Sequence, residues 1–421
     1  MEIKKLACAK GEITVPGDKS ISHRGVMLGS LAKGVTKISG FLSGADCLST
    51  IDCFRRMGIN IEIEGDNVTV YGKGVHGLCE PGEMLYTGNS GTTTRLLCGI
   101  LSGQEFDSSI TGDASICKRP MKRVAEPLRQ MGAKIEGDFC PLHIYGTKLH
   151  GMDYQMQVAS AQVKTAVLLA GLYAEGETIV RETEKSRDHT ELMLKAMGAK
   201  LEVDGTNITL TPGAELYAQA IEVPGDISSA AFFMVLGAIL PNSCITIKNV
   251  GLNPTRTGII DVFEKMGANM KIENVHTSSG ESVGDITVST SALHGVTIGG
   301  DIIPRLIDEL PIIAVAALFA YGETVIRDAS ELKVKETNRI RAVVDEFKKC
   351  GADIEETEDG MIIRGGKPIH GADFCTYKDH RMAMSLTVLA QVADGNSTLD
   401  DETCVDISYP EFFTDFYSLD N

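Results

Sequence analysis

Aromatic residues are scarce in this chain of 421 residues, which has no Trp and an aromatic content of 5%. Aromatic packing can therefore form only a small part of its core. The chain has instead 44 Gly, which indicates many short elements joined by tight turns. Its 43% hydrophobic content is enough to fill more than one core, and its length predicts two or three domains.

Cysteine and histidine form no recognisable metal or disulfide pattern. The eleven Cys include no C-x-x-C pair, and the nine His include no H-E-x-x-H pair. Thiols arranged in this way are typical of reduced, mostly buried residues. We therefore expect neither a disulfide framework nor a metal site.

Long hydrophobic runs and a positive net charge are also absent. No run reaches the roughly 18–20 apolar residues that cross a bilayer, and the opening residues do not resemble a signal peptide. We therefore expect a soluble, cytoplasmic protein. The net charge of −17 argues against nucleic acid or an anionic membrane as a partner. Any dense cluster of Lys and Arg is informative because it opposes this overall field.

One order of elements recurs along the chain: strand, helix, strand, helix and two strands. Five complete units are visible, and a sixth begins near residue 371 but stops short. The second helix of a unit repeatedly ends in Gly, as expected for a left-handed cap that turns a helix into a strand. These glycines are Gly58, Gly132, Gly198, Gly267 and Gly351.

The segment Val-Pro-Gly-Asp occurs twice, at residues 15–18 and 223–226. We expect the chain to cross between two domains at these points. Pro and Gly would suit hinges near residues 15–20 and 223–227. The alternative is a duplication that has no hinge function.

The two crossings predict a domain of residues 1–15 plus 226–421 and an inserted domain of residues 16–225, with three repeats each. The opening residues "EIKKLA" (2–7) read as a strand. This strand would supply what the sixth repeat lacks, which brings both termini into one domain.

Basic and polar residues gather at predicted helix starts in both halves. Helix N-termini carry unpaired N–H groups and a partial positive charge, so they favour phosphate or carboxylate. Taken one at a time, these segments are equally typical of capped helices and solvent-facing salt bridges. Together they predict a site for ligands with several negative charges. The first half contributes Lys19, Ser20, Arg24, Asn89, Gly91, Lys118, Arg119, Lys122, Arg123, Ser160, Gln162, Lys164 and Arg187.

The second half adds basic residues and carboxylates. Lys335 and Arg339 are expected one turn apart, with Glu336 three residues before Arg339. Arg381 opens another helix, and Asp308 and Glu309 precede an apolar one, where either could act as a cap. Carboxylates beside cations also suit proton transfer.

Local caps are predicted at two further helix starts. Pro120 is well placed to open a helix. Asp188 and Glu191 have the spacing of a capping pair, which leaves Arg187 free to meet an anion.

Eight motifs occur in order along the whole chain: "PGDKSISHR", "GNSGTTTR", "KRPMKRV", "SAQVKTA", "RDHTE", "IDELP", "VKETNR" and "DHRMAM". In these motifs the chain resembles the 5-enolpyruvylshikimate 3-phosphate synthase family. The resemblance implies a two-domain inside-out α/β barrel built from six βαβαββ repeats. It also implies transfer of the enolpyruvyl group of phosphoenolpyruvate to the 5-hydroxyl of shikimate 3-phosphate, without metal or organic cofactor, by a monomer of the shikimate pathway.

The resemblance also assigns residues. It implies that shikimate 3-phosphate contacts Lys19, Ser20, Arg24, Ser160, Gln162, Arg187, Asp308 and Lys335. It implies that phosphoenolpyruvate contacts Lys19, Asn89, Gly91, Arg119, Gln162, Arg339 and Arg381. The catalytic candidates are Asp308, Glu336 and Lys19. Glu336 is the expected proton donor and Asp308 the acceptor, and Lys19 could share the acceptor role because nearby cations lower the pKa of a lysine.

One departure from the family and two alternatives remain. Many members carry a lysine near the C-terminus that reaches phosphoenolpyruvate, but no Lys follows Lys378 here. Either another cation replaces it or the contact is missing. The nearest rival family transfers enolpyruvate to UDP-N-acetylglucosamine, but its reactive Cys would stand at Ala114. The other alternative is a catalytically silent repeat protein that binds anions.

Overall fold

The structure is a computed structural model that describes residues 1–420. The chain divides into two compact units. The terminal unit comprises Met1–Pro16 and Pro224–Asn421, and the inserted unit comprises Gly17–Val223. Each unit has its own hydrophobic core. Within the described residues, no helix has the length and apolar character required to span a membrane.

Short strands dominate both units. In chain order, the strands are β1 (Lys10–Thr14), β2 (Lys33–Ser39), β3 (Asn60–Glu64), β4 (Asn67–Lys73), β5 (Leu85–Tyr86), β6 (Ser108–Thr111), β7 (Lys134–Glu136), β8 (Leu142–Tyr145), β9 (Asp153–Gln155), β10 (Thr178–Arg181), β11 (Lys200–Asp204), β12 (Asn207–Thr211), β13 (Ala220–Glu222), β14 (Cys244–Gly251), β15 (Asn269–Ser278), β16 (Glu281–Ser289), β17 (Thr297–Ile298), β18 (Glu323–Ile326), β19 (Asp353–Glu356), β20 (Met361–Arg364), β21 (Asp373–Phe374) and β22 (Thr398–Leu399).

Helices alternate with these strands, and several short 3₁₀ turns join them. The α-helices are α1 (Lys19–Leu31), α2 (Ala45–Arg56), α3 (Gly91–Ser102), α4 (Lys122–Gln130), α5 (Ala161–Gly171), α6 (His189–Ala196), α7 (Ile227–Ile239), α8 (Gly258–Met266), α9 (Ile303–Leu306), α10 (Leu310–Leu318), α11 (Arg339–Lys349), α12 (His380–Val392) and α13 (Phe412–Ser418).

Three small sheets belong to each unit. Those of the inserted unit have the strand orders β13-β2-β4-β3, β5-β6-β8-β7 and β9-β10-β12-β11. Those of the terminal unit are β1-β14-β16-β15, β17-β18-β20-β19 and the two-stranded β21-β22. Each four-stranded sheet has one parallel pair at its edge and two antiparallel pairs. The predicted α/β class and its sixfold repeat are confirmed.

The strands that lead into the two Val-Pro-Gly-Asp segments pair with strands that lie far from them in sequence or in repeat order. Strand β1 pairs in parallel with β14 of the fourth repeat. Strand β13, which precedes the second segment, pairs in parallel with β2 of the first repeat. Both strands precede the same four residues, so local sequence does not distinguish their sheets.

The first residues of the chain join the sixth sheet through one β-bridge and its flanking backbone hydrogen bonds. Glu2 forms an antiparallel bridge with Thr398 on β22, and the N–H of Ile3 donates to the Ser397 carbonyl at 2.9 Å. The predicted strand over residues 2–7 is therefore wrong in its extent, because the pairing stops after the bridge. Its predicted partner, the sixth repeat, is confirmed.

Backbone conformation at the predicted glycine caps follows the sequence reading. All five have positive φ, between +79° and +100°, which side chains with a Cβ rarely adopt. Helices α3 and α5 also pack closely, because a Cβ at Gly99 would collide with the carbonyl oxygen of Ala166. This packing places the N-terminal ends of the two helices side by side.

Candidate active site

The first Val-Pro-Gly-Asp segment leads directly into α1. Asp18 is the N-cap, and its side chain accepts a hydrogen bond from the N–H of Ile21 at 2.9 Å. Ser20 and Arg24 share a face, and Arg24 Nη1 donates to the Ser20 carbonyl at 3.0 Å. Arg187 reaches the same helix start, with its Nη1 3.4 Å from Ser20 Oγ. The structure thus brings together three predicted site residues that span more than 160 positions of sequence.

Arg24 lies deeper than the other two. Its residue exposure is 3%, whereas Ser20 and Arg187 are half-buried. Its Nε donates to Thr190 Oγ1 at 2.7 Å, and its Nη2 donates to Thr165 Oγ1 at 3.0 Å. The guanidinium is therefore fixed beneath the helix start, where its charge adds to the positive end of the helix.

Lys19 forms an ion pair with Asp46 near the start of α2. His23, one turn further along α1, is fully buried, and its ring donates to or accepts from Thr50 at 2.7 Å. Burial, followed by the charges of Lys19 and Arg24, holds the pKa of His23 well below its ordinary value. His23 is therefore a neutral core residue.

A second loop begins α3 and carries Asn89 and Gly91. Ser90 is the N-cap of the helix and bonds with its side chain to the first turn. Asn89 Oδ1 accepts a hydrogen bond from Arg119, which also donates to Ser115 Oγ at 3.2 Å. Two segments some 30 residues apart are therefore joined at this helix start, and the Arg119 guanidinium lies beside the backbone of the loop.

Gly91 faces two guanidinium groups. A Cβ at this position would lie 2.9 Å from Arg95 Nη1 and 3.4 Å from Arg119 Nη1. Arg95 in turn donates to Gln162 Oε1 at 2.7 Å, and Gln162 donates to Thr92 Oγ1 at 3.0 Å. The absence of a side chain at Gly91 leaves the space that these arginine side chains occupy.

Helix α5 starts behind the N-cap Ser160 and buries Lys164 completely. Lys164 Nζ lies 3.0 Å from Glu182 Oε2 and 2.6 Å from Glu191 Oε1. Burial raises the pKa of the Glu191 carboxyl, and attraction to Lys164 offsets only part of that effect. Lys164 is therefore an internal counter-ion, and its position on the predicted site helix does not make it a ligand.

The predicted capping pair of Asp188 and Glu191 is wrong. Asp188 is the N-cap of α6, but its side chain makes no capping bond and lies 3.2 Å from Lys185 Nζ. Glu191 turns inward to Lys164 instead. A buried ammonium attracts a carboxylate more strongly than a helix N–H does, so the long-range charge overrides the local pattern.

In the terminal unit, Asp308 lies between two cations. Its Oδ1 accepts hydrogen bonds from Lys335 Nζ at 3.1 Å and from Arg339 Nη1 at 3.4 Å. Its side chain is 13% exposed. Both partners stabilise the ionised carboxylate, which is the form that can accept a proton.

Arg339 begins α11 and contacts three carboxylates. Its Nε lies 2.8 Å from Asp379 Oδ2, and its Nη2 lies 2.6 Å from Glu336 Oε2. Burial opposes its charged form, but the carboxylates of Asp379, Glu336 and Asp308 outweigh that effect and raise the pKa of the guanidinium above its ordinary value. Since the side chain is 1% exposed, the alternative of a solvent-facing Glu336–Arg339 pair is wrong.

Arg381 lies in the first turn of α12, where Asp379 is the N-cap. Its N–H donates to Asp379 Oδ1 at 2.9 Å, and its Nη1 donates to the backbone carbonyl of Asp308 at 3.2 Å. The same Nη1 lies 3.9 Å from Glu309 Oε1. Three cations from two segments, Lys335, Arg339 and Arg381, therefore contact Asp308.

Two predictions about helix ends in the terminal unit are wrong. Lys335 precedes α11, so it does not lie one turn from Arg339 on a helix, and the two meet through Asp308 instead. Glu309 is the N-cap of α10 but makes no side-chain capping bond. It accepts a hydrogen bond from Ser228.

In the inserted unit, Pro120 does not open a helix. Helix α4 begins two residues later, at Lys122, and a 3₁₀ turn over Ile116–Lys118 precedes it. This turn places Arg119 against Asn89. Of the four basic residues predicted in this segment, Arg119 is buried and Lys118 is exposed.

Sequence reasoning missed three charged residues of these clusters. Arg95 ends the "GNSGTTTR" motif, and Asp379 lies inside "YKDHRMAM", so both had a local signal in their proximity to predicted site residues. Arg256 had none. It is almost fully buried and donates to Asp226 Oδ1 at 2.9 Å, 30 positions away.

The part of the chain that the structure describes contains no disulfide bond and no cluster of metal-ligating side chains. All eleven Cys are free, and no group of three or more His, Cys, Asp and Glu side chains among residues 1–420 has an arrangement that could hold a metal ion.

Comparison with known proteins extends over almost the whole chain. The model of the family "EPSP synthase (3-phosphoshikimate 1-carboxyvinyltransferase)" matches residues 3–416. The 3-phosphoshikimate 1-carboxyvinyltransferase of Thermoanaerobacter sp. strain X514 is 55% identical over 422 residues, with 100% of each chain covered. The enzyme of the same name from Bacillus velezensis is 56% identical, with 98% of each chain covered.

Solved structures show the same likeness. The EPSP synthase of Acinetobacter baumannii superposes with a TM-score of 0.88 at 45% identity, covering 100% of this chain and 98% of that one. The enolpyruvyl transferase NikO of Streptomyces tendae superposes with a TM-score of 0.81 at 16% identity, covering 99% of this chain and 96% of that one. At that identity the likeness concerns the fold alone.

The fold is therefore that of the enolpyruvyl transferases. Within that class, the family match and the identities above decide between the relatives. The chain belongs to the EPSP synthase (3-phosphoshikimate 1-carboxyvinyltransferase) family. It is a transferase of the shikimate pathway, which feeds aromatic amino acid biosynthesis, and the predicted activity is confirmed.

Proposed function

We propose that the cationic and polar residues described above recognise two anionic substrates. Shikimate 3-phosphate is assigned to Lys19, Ser20, Arg24, Ser160, Gln162, Arg187, Asp308 and Lys335. Phosphoenolpyruvate is assigned to Lys19, Asn89, Gly91, Arg119, Gln162, Arg339 and Arg381. The observation that carries the proposal is the placement of buried or half-buried cations at helix starts in a chain of net charge −17. Guanidinium groups and helix N-termini are both suited to phosphate and carboxylate oxygens.

The chemistry combines one addition and one elimination, and each of them involves proton transfer. In the addition, the methylene carbon of phosphoenolpyruvate gains a proton, the 5-hydroxyl loses one, and its oxygen bonds to the neighbouring carbon. In the elimination, the same methyl carbon loses a proton while the carbon–oxygen bond to phosphate breaks. The products are the enolpyruvyl ether and inorganic phosphate.

We assign the proton donor to Glu336 and the acceptor to Asp308. Two cations stabilise Asp308 as the carboxylate, which suits a group that accepts the hydroxyl proton. Glu336 shares Arg339 with it, so the two carboxyls lie on either side of one guanidinium. Lys19, which forms an ion pair with Asp46, is assigned to stabilising negative charge on both substrates and to a share of the acceptor role.

Substrate assignment is tested by paired variants. We expect Arg187→Ala to weaken the binding of shikimate 3-phosphate by about ten- to a hundredfold, the cost of one charge-assisted contact. Arg119→Ala should raise the KM for phosphoenolpyruvate by a similar factor while leaving the binding of shikimate 3-phosphate nearly unchanged. Isothermal titration and steady-state phosphate release measure the two effects.

Matched controls lie beside each residue. Lys185→Ala removes an exposed lysine next to Arg187, and Lys118→Ala removes an exposed lysine next to Arg119. Neither should change binding by more than about twofold. If Arg119→Ala weakened the binding of shikimate 3-phosphate and left the KM for phosphoenolpyruvate unchanged, the assignment of residues to the two substrates would be wrong.

Gly91 should make the enzyme sensitive to glyphosate, the known inhibitor of the family. We expect inhibition that competes with phosphoenolpyruvate, since the loop at Gly91 leaves room beside Arg95 and Arg119. Gly91→Ala should raise the inhibition constant by about tenfold or more, because its Cβ crowds the space beside Arg95 and Arg119. Gly82→Ala is the control, because a Cβ there meets nothing within 4 Å. Inhibition that does not compete with phosphoenolpyruvate would contradict the prediction.

We also propose that the enzyme works as a cytoplasmic monomer, with hinges near residues 15–20 and 223–227. Residues of a single chain supply every assigned ligand of both substrates. The eleven free thiols are typical of a reducing compartment. Sedimentation of the purified protein with and without both substrates tests the monomer, and a concentration-dependent mass twice that of the chain would contradict it.

A further inference from the structure

The second Val-Pro-Gly-Asp segment has no assigned role, although it begins a helix in the same way as the first. We propose that it positions Arg381 through a buried network of Ser228, Arg256 and Glu309, and so sets the affinity for the enolpyruvyl donor. The inference rests on the proposed assignment of Arg381 to phosphoenolpyruvate. The three network residues act through Arg381, so they are positioning residues.

The network starts at the N-cap of α7. Asp226 Oδ1 accepts the N–H of Ser228 at 2.9 Å and Arg256 Nη2, also at 2.9 Å. The same Nη2 donates to Ser228 Oγ at 2.8 Å. Arg256 is 2% exposed and Asp226 is 5% exposed, so the pair is a buried ion pair that fixes the hydroxyl between two charges.

The Ser228 hydroxyl links this ion pair to the residues around Arg381. Ser228 Oγ donates to Glu309 Oε1, and Glu309 is completely buried. The same Oε1 lies 3.9 Å from Arg381 Nη1, which also donates to the Asp308 carbonyl at 3.2 Å. Two consecutive residues therefore orient one guanidinium, and the position of the Glu309 carboxylate depends on the Ser228 hydroxyl.

The charges of the network balance in pairs. Arg256 neutralises Asp226, and Arg381 lies opposite Glu309, so two positive and two negative groups occupy a mostly buried volume. Loss of the Ser228 hydroxyl deprives a buried carboxylate of a donor, which is costly in such surroundings. Glu309 would recover this loss by moving toward other donors, and the Arg381 guanidinium lies 3.9 Å from its Oε1.

The two Val-Pro-Gly-Asp segments use the same hydroxyl position differently. Ser20 and Ser228 both stand two residues after the aspartate cap, and each accepts a hydrogen bond from a distant arginine. At Ser20 the arginine is Arg187, which is half-buried and assigned to a substrate. At Ser228 the arginine is buried and paired with Asp226. The second segment thus keeps the arrangement of aspartate cap, serine and arginine, but its serine hydroxyl donates to Glu309.

The test separates a positioning role from a structural one. Ser228→Ala should raise the KM for phosphoenolpyruvate by about tenfold, as expected for a displaced binding group, with the dissociation constant of shikimate 3-phosphate unchanged within about twofold. Ser228→Thr keeps the hydroxyl and should restore the KM. Ser229→Ala, a buried serine of the same turn outside the network, should leave the KM unchanged. Glu309→Gln should raise the KM in the same way as Ser228→Ala.

The outcomes are distinguishable. If Ser228→Ala lowers the thermal midpoint but leaves the KM for phosphoenolpyruvate unchanged, the residue is only structural and the inference is overturned, whether or not Glu309→Gln folds. A KM increase shared equally by Ser229→Ala also overturns it. Arg381→Ala tests the assignment on which the inference rests. If that variant leaves the KM unchanged, the assignment of Arg381 fails, whereas a large effect there with none at Ser228 refutes the network alone.

Discussion

Asp308→Asn and Glu336→Gln should each lower kcat by about 10²–10⁴-fold, the range that a positioned acid or base contributes. Both substitutions keep the shape of the side chain and an oxygen that can accept from the Arg339 guanidinium, so the local structure should persist. What they remove is a group that can exchange a proton at the pH of the reaction. Phosphate release at saturating substrates measures the loss.

The effect on kcat should exceed the effect on binding. Asp308 is also assigned to shikimate 3-phosphate. Asp308→Asn should therefore weaken the binding of this substrate by no more than about a hundredfold, the cost of a contact of this kind. Asp345→Asn is the matched control, because that carboxylate pairs with Arg341 on the more exposed face of α11, the helix that Arg339 begins. A kcat reduced less than threefold in either variant would remove that residue from proton transfer.

Lys164→Met should be the most destabilising single change in the inserted unit. It leaves Glu182 and Glu191 buried without their shared cation, which costs about 3–5 kcal/mol for a broken buried pair. Lys33→Met is the control, since its partner Glu215 and Lys33 itself are half-exposed. Exposed pairs contribute about 1 kcal/mol or less. Urea denaturation followed by circular dichroism measures both, and similar costs for the two variants would contradict the account.

The destabilisation by Lys164→Met should also depend on pH. Burial raises the pKa of Glu191 above its ordinary value, and Lys164 counteracts this effect. Without Lys164 the pKa of the Glu191 carboxyl in the folded state rises further. The variant therefore gains stability from the protonated carboxyl at low pH, and it loses that stability as the pH rises through this folded-state pKa. The cost of the substitution should therefore be smallest near the ordinary pKa of a glutamate carboxyl and should grow as the pH is raised from there.

Local chemistry explains which parts of the fold and site could be read from the sequence. Asp18 caps its helix through an N–H three residues away, and the five glycine caps act on their own backbone. Such interactions span a few residues, so spacing alone predicts them. The sixfold repeat followed from the same kind of signal, because each unit repeats its turns as well as its strands.

Long-range electrostatics explains what could not be read. Glu191 leaves its predicted capping role for Lys164, 27 positions earlier, and Glu309 leaves its own for Ser228, 81 positions earlier. Both partners are buried, where an ion pair or a charged hydrogen bond outweighs a helix cap.

Phosphate release from phosphoenolpyruvate, measured with each of two acceptors, tests the assigned reaction most directly. The predicted result is release with shikimate 3-phosphate and none with UDP-N-acetylglucosamine, with the first rate abolished in large part by Asp308→Asn. Release with UDP-N-acetylglucosamine alone would assign the chain to the rival reaction. Tight binding of shikimate 3-phosphate without any release would mean that the clusters bind anions and do not catalyse.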